Sequence, residues 1–192
     1  MIKLVFALVA LACHTAQAEN SFVSFFNNFD SLSGEFKQEI YDEDQTLISH
    51  SSGTWRFKRP KQLFWHTSQP SEQIMLINKH EIWLIDMDLE QAALQNIEID
   101  KTPLYWLINK PSANSSATFK RHEQGLDWYR AEQPDNQQVF EFGFRDGVLE
   151  AIQTNNVLAQ TVKIYLHSLV VNPTFGANDF KLDIAPSFDI IQ

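Results

Sequence analysis

The sequence predicts a single domain that is mainly β, an antiparallel meander of roughly ten strands with two or three short α-helices. Apolar and polar side chains alternate over most of the chain, which is the period of a strand with one buried face. Short turn sequences separate the alternating segments, as in antiparallel hairpins. Only two segments, one near the N-terminus and one after Thr102, have helical spacing. A sheet of this size either closes around a ligand or curves and needs a cover for its inner face.

Both predicted helices are amphipathic. The first covers residues 20–33 and ends at Ser33-Gly34. The second begins at Thr102-Pro103, an N-cap followed by proline at the first helical position, and ends at Lys110-Pro111. The apolar faces consist of Phe22, Phe25, Phe26, Phe29 and Leu32 in the first helix, and of Leu104, Tyr105, Leu107 and Ile108 in the second. These two helices are the natural covers of the sheet.

The remaining segments are predicted strands. In the N-terminal half, one strand places Phe36, Gln38 and Ile40 on one face. In the C-terminal half, strands are predicted at Thr118–Glu123, Leu126–Ala131, Val139–Phe144, Val148–Thr154, Val157–Leu166 and Phe180–Ile184. Hairpin turns are predicted at Asn78-Lys79-His80, Asp146-Gly147 and Asn155-Asn156.

The segment from Ser52 to Trp65 places an arginine in register with large aromatic side chains. Alternation puts Trp55, Phe57 and Arg59 on the same face of a strand. Removing a guanidinium from water is costly unless acceptors receive its donors. Arg59 therefore either meets carbonyl or carboxylate groups in the fold or lies near water.

The N-terminus is typical of an export signal. Lys3 precedes a short apolar run, Leu4–Ala12, and Ala16-Gln17-Ala18 matches a cleavage site. The run is too short to span a bilayer, so we expect residues 1–18 to be removed and residues 19–192 to form the mature domain. Cys13, the only cysteine, would be lost with the signal. Alternatively, Cys13 is lipidated and anchors the protein to a membrane.

Composition and motifs exclude several classes of protein. A net charge of −9 disfavours nucleic acid and anionic membrane surfaces as partners. The sequence has no hydrolase elbow, phosphate-binding glycine loop or HExxH motif, and its histidines lack metal-ligand spacing. Asp86 and Asp88 share a strand face, but solvated turn residues explain them better. We therefore expect neither an enzyme nor a cofactor or metal.

An ordered set of short motifs gives the chain a resemblance to a known family. These motifs are Phe36-x-Gln38, Ser52-Gly53, Arg59-Pro60, Trp65, Gln69-Pro70, Trp83, the segment from Asp86 to Gln91, Thr102-Pro103 before a Leu-Ile pair, and the closing segment from Phe180 to Ile190. In this order and spacing the chain resembles the outer-membrane lipoprotein carrier (LolA) family, periplasmic chaperones of Gram-negative bacteria. The resemblance covers nearly all of the mature chain.

The resemblance implies an unclosed half-barrel with a helical lid over an apolar cavity for the acyl chains of a lipoprotein. Arg59 corresponds to a family arginine that bonds to lid backbone in the closed form, which makes it the predicted lid latch. The predicted cavity residues are Phe36, Ile40, Trp55, Phe57, Leu63, Trp65 and Trp83. The predicted lid residues are Phe22, Phe25, Phe26, Phe29, Leu104, Tyr105, Leu107 and Ile108.

The resemblance also implies partners and a location. The expected protein is a periplasmic monomer that receives acylated lipoproteins from an inner-membrane ABC-type release complex and delivers them to an outer-membrane receptor. No stable membrane insertion is expected.

Two departures from the family pattern leave the cargo open. Leu63 stands where the family often has an aromatic side chain, and Leu104-Tyr105-Trp106 is bulkier than usual. The same fold could therefore carry a glycolipid or another envelope lipid. A membrane-anchored receptor, which would need acylated Cys13, and a structural envelope domain without lipid are further alternatives.

Overall fold

The computed structural model describes residues 15–79, 81–96, 98–111, 117–133, 136–156, 158–181 and 184–191. Two α-helices lie in these ranges, α1 (Thr15–Asn27) and α2 (Leu104–Ile108), the second preceded by a 3₁₀ turn at Ile99–Lys101. The strands are β1 (Ser31–Tyr41), β2 (Leu47–Lys58), β3 (Gln62–Gln69), β4 (Gln73–Asn78), β5 (Glu81–Asp86), β6 (Gln91–Gln95), β7 (Thr118–Glu123), β8 (Leu126–Gln133), β9 (Asn136–Arg145), β10 (Val148–Asn155), β11 (Thr161–Val171) and β12 (Asp189–Ile191).

All twelve strands belong to one curved sheet in the order β12-β6-β5-β4-β3-β2-β1-β11-β10-β9-β8-β7. Two meanders, β1 to β6 and β7 to β11, are joined where β11 pairs with β1. The pairs are antiparallel except for β12 with β6, which is parallel. β7 and β12 are the two edges, so the sheet is not closed. This confirms the predicted fold class, a mainly β protein with an unclosed curved sheet and short helices.

The first predicted helix is wrong at its C-terminal end. α1 ends at Asn27, and Leu32 lies in β1 opposite Phe57 and Val171. The side chain of Asn172 accepts hydrogen bonds from the backbone N–H groups of Asp30 and Ser31, so contacts from the far end of the chain set the start of β1. α1 also begins at Thr15, before the predicted cleavage site after Ala18.

Most of the predicted strands and turns are present. Asp146 and Gly147 form a tight hairpin with φ angles of 50° and 79°, and Lys79, with φ 59°, turns β4 into β5. His80 lies outside the described residues. The loop after Asn155 is longer than the predicted turn, because the Asn156 side chain accepts hydrogen bonds from the N–H groups of Leu158 and Gln160. β11 therefore begins at Thr161.

The predicted strand at Phe180–Ile184 is wrong. Among its described residues, Phe180 ends a turn and is buried on the convex face of the sheet, with Phe64, Ile74, Leu76, Ile85 and Ala92. Arg56 holds this C-terminal segment by donating a hydrogen bond from Nε to the Asp179 carbonyl, and its guanidinium lies 3.8 Å from the Phe64 ring centroid. The apolar residues near Phe180 thus cover the sheet without pairing with it.

The larger core lies on the concave face and is mostly aromatic. Phe22 and Phe26 of α1 are fully buried, and the Phe22 ring lies 5.4 Å from that of Phe142 on β9. Phe144, which shares a face with Phe142, lies 5.7 Å from Phe25. Edge-to-face pairs of this kind add to the stabilisation from apolar burial. α1 is therefore fixed over the β8–β9 side of the sheet.

Gly53 permits the close approach of β2 and β3 at a register shift between Ser52 and Gly53. A Cβ at this position would overlap the carbonyl oxygen of His66 and lie 2.8 Å from its carbon. We expect Gly53→Ala to lower the free energy of unfolding by roughly 1–3 kcal/mol, because the strands must separate locally. Denaturant titration measures the change. Gly176→Ala is the control, since its Cβ would have its nearest neighbour at 3.6 Å, and equal stability of the two variants would contradict the prediction.

Candidate functional site

An apolar cavity of about 270 Å³ lies between the concave face of the sheet and α2. Its walls come from both meanders and from the segment that begins α2. The lining residues are Gln38, Trp55, Leu63, Trp65, Met75, Ile77, Thr102, Pro103, Leu104, Leu107, Leu149, Ile152, Ile164 and Leu166. An apolar concave site with few polar groups is the usual form of a lipid or small-molecule site.

Three of the predicted cavity residues line this cavity, namely Trp55, Leu63 and Trp65. Trp55 and Leu63 are buried, and Trp65 is half-buried. Leu63 pairs with Phe57 on β2 and with Ile77 on β4, so it lies within the wall. Leu63, the expected departure from the family pattern, thus belongs to the cavity lining.

The other four predicted cavity residues do not line it. Phe36 lies on the same face as the lining, opposite Leu166, but its ring packs against that of Trp65, with the ring centroids 3.9 Å apart. Phe57 is core, packed 6.2 Å from the Phe29 ring. Ile40 is half-buried near the end of β1, beyond the cavity.

Trp83 is on the wrong face altogether. It packs on the convex cluster beside Phe180, opposite Leu76, while its neighbour Ile82 joins the concave core. The run from Ile82 to Ile85 is apolar throughout. Alternation therefore gave no signal for which face each side chain takes.

Sequence reasoning missed most of the lining. Gln38 could have been found, because it lies two residues from Phe36 and therefore on the same face of β1. Met75 and Ile77 on β4, and Ile164 and Leu166 on β11, come from strands that meet only through the sheet order. No local pattern in the sequence indicates that order.

The predicted helix residues divide into lining and packing groups. Leu104 and Leu107 line the cavity, whereas Tyr105 and Ile108 are half-buried against the core. Thr102 Oγ1 accepts a hydrogen bond from the Leu104 N–H at 3.2 Å and caps the helix start, as the sequence predicts. The rings of Phe22, Phe25, Phe26 and Phe29 pack into the core beside the cavity. Trp106, absent from the predicted set, is buried 5.3 Å from the Phe22 ring and joins α2 to α1.

Arg59 bonds to both helices. Its Nε donates to the Leu107 carbonyl in α2 at 3.0 Å, and Nη2 donates to the Phe26 carbonyl in α1 at 2.7 Å. Nη1 donates to the Phe29 carbonyl, and the guanidinium carbon lies 4.0 Å from the Phe29 ring centroid. The carbonyls of a last helical turn have no partner within their helix, so they are available as acceptors. Arg59 thus meets carbonyl acceptors in the fold.

Burial lowers the pKa of the Arg59 guanidinium from its ordinary value, and nearby Asp30 opposes this shift. An arginine nevertheless stays charged in proteins, so the three bonds are charge-assisted. Two further contacts join the same helix ends. Asn27 donates to the Pro111 carbonyl at 3.1 Å, and Lys110 donates to the Asn27 carbonyl at 3.4 Å.

Other kinds of site were also sought. Within the described ranges, no group of three or more histidine, cysteine or acidic side chains could hold a metal ion. In the same ranges, no helix combines the length and the apolar character needed to cross a membrane.

Comparison with known proteins identifies the family. Residues 27–183 match the family model described as "Outer membrane lipoprotein carrier protein LolA". The chain belongs to this family. An outer-membrane lipoprotein carrier protein of Pseudomonas aeruginosa (strain UCBPP-PA14) is 27% identical over 97% of this chain and 95% of its own length. One from Neisseria gonorrhoeae is 29% identical over 96% of this chain and 91% of its own.

A solved structure supports the fold. An uncharacterised conserved protein from Thermus thermophilus superposes with a TM-score of 0.56 over 92% of this chain and 98% of its own, at 7% identity. At this low identity the likeness concerns the fold alone.

The bonds of Arg59 predict a local effect on α2. We expect Arg59→Leu to speed amide hydrogen exchange at residues 104–109 by at least about tenfold, because a hydrogen bond to a charged group contributes about 1.5–3 kcal/mol. Exchange in the central strands should stay slow. Mass spectrometry or NMR measures both rates.

Arg56→Leu is the matched control for this experiment. It removes an arginine three positions away whose partner, Asp179, lies on the convex face. Equal exchange of α2 in the two variants would show that Arg59 does not hold that helix.

Proposed function

We propose that this protein is a periplasmic chaperone that binds the acyl chains of lipoproteins released from the inner membrane and carries them to an outer-membrane receptor. The observation that carries the proposal is the apolar cavity beneath α2, in a chain that belongs to the lipoprotein carrier family. The predicted export signal supports the location. The proposed role is non-catalytic.

The thermodynamics of lipid transfer fit such a cavity. Each methylene removed from water contributes about 0.8 kcal/mol, so a carrier needs a site as apolar as the membrane it serves. The lining contains leucine, isoleucine, methionine and tryptophan side chains, and Gln38 and Thr102 are its polar members. Acyl chains therefore bind there because their apolar surface is buried. The free-energy cost is small, since few polar groups of the lining lose their water.

Release of bound lipid needs a stable lipid-free form of the carrier, and we propose that the two helices provide it by closing over the cavity. In the arrangement described above, Arg59 joins the ends of α1 and α2 over the sheet. We interpret the helices as a lid and Arg59 as its latch. Opening the lid breaks charge-assisted bonds, and that cost lowers the net affinity for lipid. Closing the lid then favours release to an acceptor.

The chain has no nucleotide-binding motif in its sequence, so the energy for loading comes from outside. An inner-membrane ABC-type release complex is the proposed donor. An outer-membrane lipoprotein receptor that binds the acyl chains more tightly is the proposed acceptor.

The cargo is directly testable. We expect the protein purified from the periplasm of a Gram-negative host to carry acylated lipoprotein, identified by mass spectrometry of the extracted complex. Ile164→Trp should abolish this co-purification, because Ile164 lines the cavity and a larger side chain there occupies the space of the acyl chain. Lys163→Trp on the opposite face of β11 is the control. A bound glycolipid would identify a different cargo, and no lipid at all would contradict the proposal.

The latch hypothesis makes a separate kinetic prediction. We expect Arg59→Leu to stay folded but to release bound lipoprotein to the receptor more slowly, because the closed state no longer competes with the lipid. Transfer from loaded carrier to receptor, followed with time, measures the rate. Normal transfer by Arg59→Leu, with Arg56→Leu as reference, would rule out the latch.

A further inference from the structure

Two polar side chains lie in the cavity lining, and only one of them has its hydrogen bonds made. Thr102 Oγ1 donates to the Ile99 carbonyl at 2.8 Å and accepts from the Leu104 N–H at 3.2 Å. Gln38 is half-buried, and no hydrogen bond joins its side-chain amide to another described residue. A side-chain amide has two N–H donors and an acceptor oxygen. Gln38 therefore has hydrogen-bonding groups that the fold leaves unused.

Gln38 lies at the edge of the apolar lining. The next residue on the same face of β1, Ile40, is beyond the cavity. On β2, Trp55 lines the cavity, whereas Ser51, which is opposite Gln38, does not. Along these two strands the concave face thus changes from apolar to polar where Gln38 and Ser51 face each other.

This edge is remote from the helix ends that Arg59 holds. Ser31, at the start of β1, pairs with Lys58, the residue before Arg59. Gln38 lies seven residues further along β1, which is about 23 Å at the usual rise of a strand. Gln38 belongs to the sheet, so its place in the site does not depend on whether α2 covers the cavity.

A lipid that fills the site makes the unused amide costly. Without lipid, a half-buried amide at the edge of a cavity bonds to water. A chain that lies along the lining displaces this water, and a polar group that loses water without a new partner weakens binding. An alkyl chain has no hydrogen-bonding atom. In an acylated molecule, the first such atom beyond the chain is the carbonyl oxygen of the linkage, which accepts what the amide N–H donates.

A second unused donor of the lining lies elsewhere. The indole Nε1 of Trp55 is buried and has no hydrogen-bond partner within the described ranges. It is 3.4 Å from the position that a Cβ on Gly34 would take, and Gly34 does not line the cavity. The Trp55 N–H is therefore directed along the sheet towards β1, whereas the Gln38 amide is at the edge where the chain leaves the cavity.

We propose that the Gln38 amide donates a hydrogen bond to the carbonyl oxygen of the ester or amide that links an acyl chain to the rest of its molecule. The contact places the chain in the cavity and the head group outside it, at the end of the sheet away from Arg59. This role rests on the proposed function and names the class of ligand that the site selects. Acylated molecules are preferred to alkyl ethers with the same chain and head group.

The test compares three ligands that share a decyl-length chain and a diol head group. They are monodecanoylglycerol, its amide analogue with N–H in place of the linking oxygen, and the decyl ether of glycerol, which lacks the carbonyl. Gln38→Met removes the amide and keeps a side chain of similar length. Gln153→Met is the matched control on the convex face of β10, where Gln153 is opposite Glu141 and Lys163. Thermal unfolding checks that both variants fold, and isothermal titration gives each Kd.

We expect Gln38→Met to raise the Kd of the ester and of the amide about fivefold relative to the Kd of the ether, the factor for one ordinary hydrogen bond. A change in cavity shape affects all three ligands alike, so it cancels in this ratio. Gln153→Met should leave the ratio unchanged. The larger of the two losses identifies the linkage that Gln38 binds.

Two outcomes would overturn the role of Gln38 and leave the proposed function intact. One is an equal change for all three ligands in Gln38→Met. The other is a preference for ester and amide that persists in this variant, which would assign the carbonyl to another donor. If the unsubstituted protein binds none of the three ligands, the proposed function fails and the role of Gln38 with it.

Infrared spectroscopy gives a measurement that does not depend on how a variant folds. A carbonyl that accepts a hydrogen bond absorbs at a lower frequency than a free carbonyl. An isotope-labelled ester bound to the unsubstituted protein should therefore absorb below its frequency in an apolar solvent. Absorption at the apolar-solvent frequency would contradict the proposal.

Discussion

The bonds from Arg59 to three backbone carbonyls are the interaction on which the arrangement of the helices depends. α2 has five residues and α1 has 13, so neither helix is stable by its length alone. Apolar packing on the sheet holds their inner faces, but it is not directional. A guanidinium is directional, because its donors are fixed in a plane. Arg59 thus sets where both helices end relative to the cavity.

A second arginine holds a chain segment against the convex face in a similar way. Arg56 stacks on Phe64 and donates to the carbonyl of Asp179, which fastens the C-terminal segment over the outer cluster. In both cases the guanidinium lies over an aromatic ring and donates a hydrogen bond to a backbone carbonyl oxygen. Strand β2 and Arg59, the residue that follows it, therefore hold segments over both faces of the sheet. The two sides differ in what lies beneath the cover. On the convex side it is a packed apolar cluster, and on the concave side it is an apolar cavity.

Local patterns predicted the elements well where the period was clear. The helix cap at Thr102, the turn at Asp146-Gly147 and the strands between Thr118 and Asn155 follow from spacing and turn residues. Prediction failed where the pattern was uniform or where distant groups decided. Trp83 lies in an unbroken apolar run, and the start of β1 depends on Asn172, far along the chain.

The sequence by itself determined that this is a mainly β chain of a recognisable family, with two amphipathic helices and an arginine that needs carbonyl partners. Those conclusions depend on residues near one another in the chain, where periodicity and turn chemistry act. Only the tertiary structure decided which strands meet, and therefore that β4, β10 and β11 complete the cavity with β2 and β3. Strand order comes from the summed burial of all the side chains on each face, and no single segment carries that information.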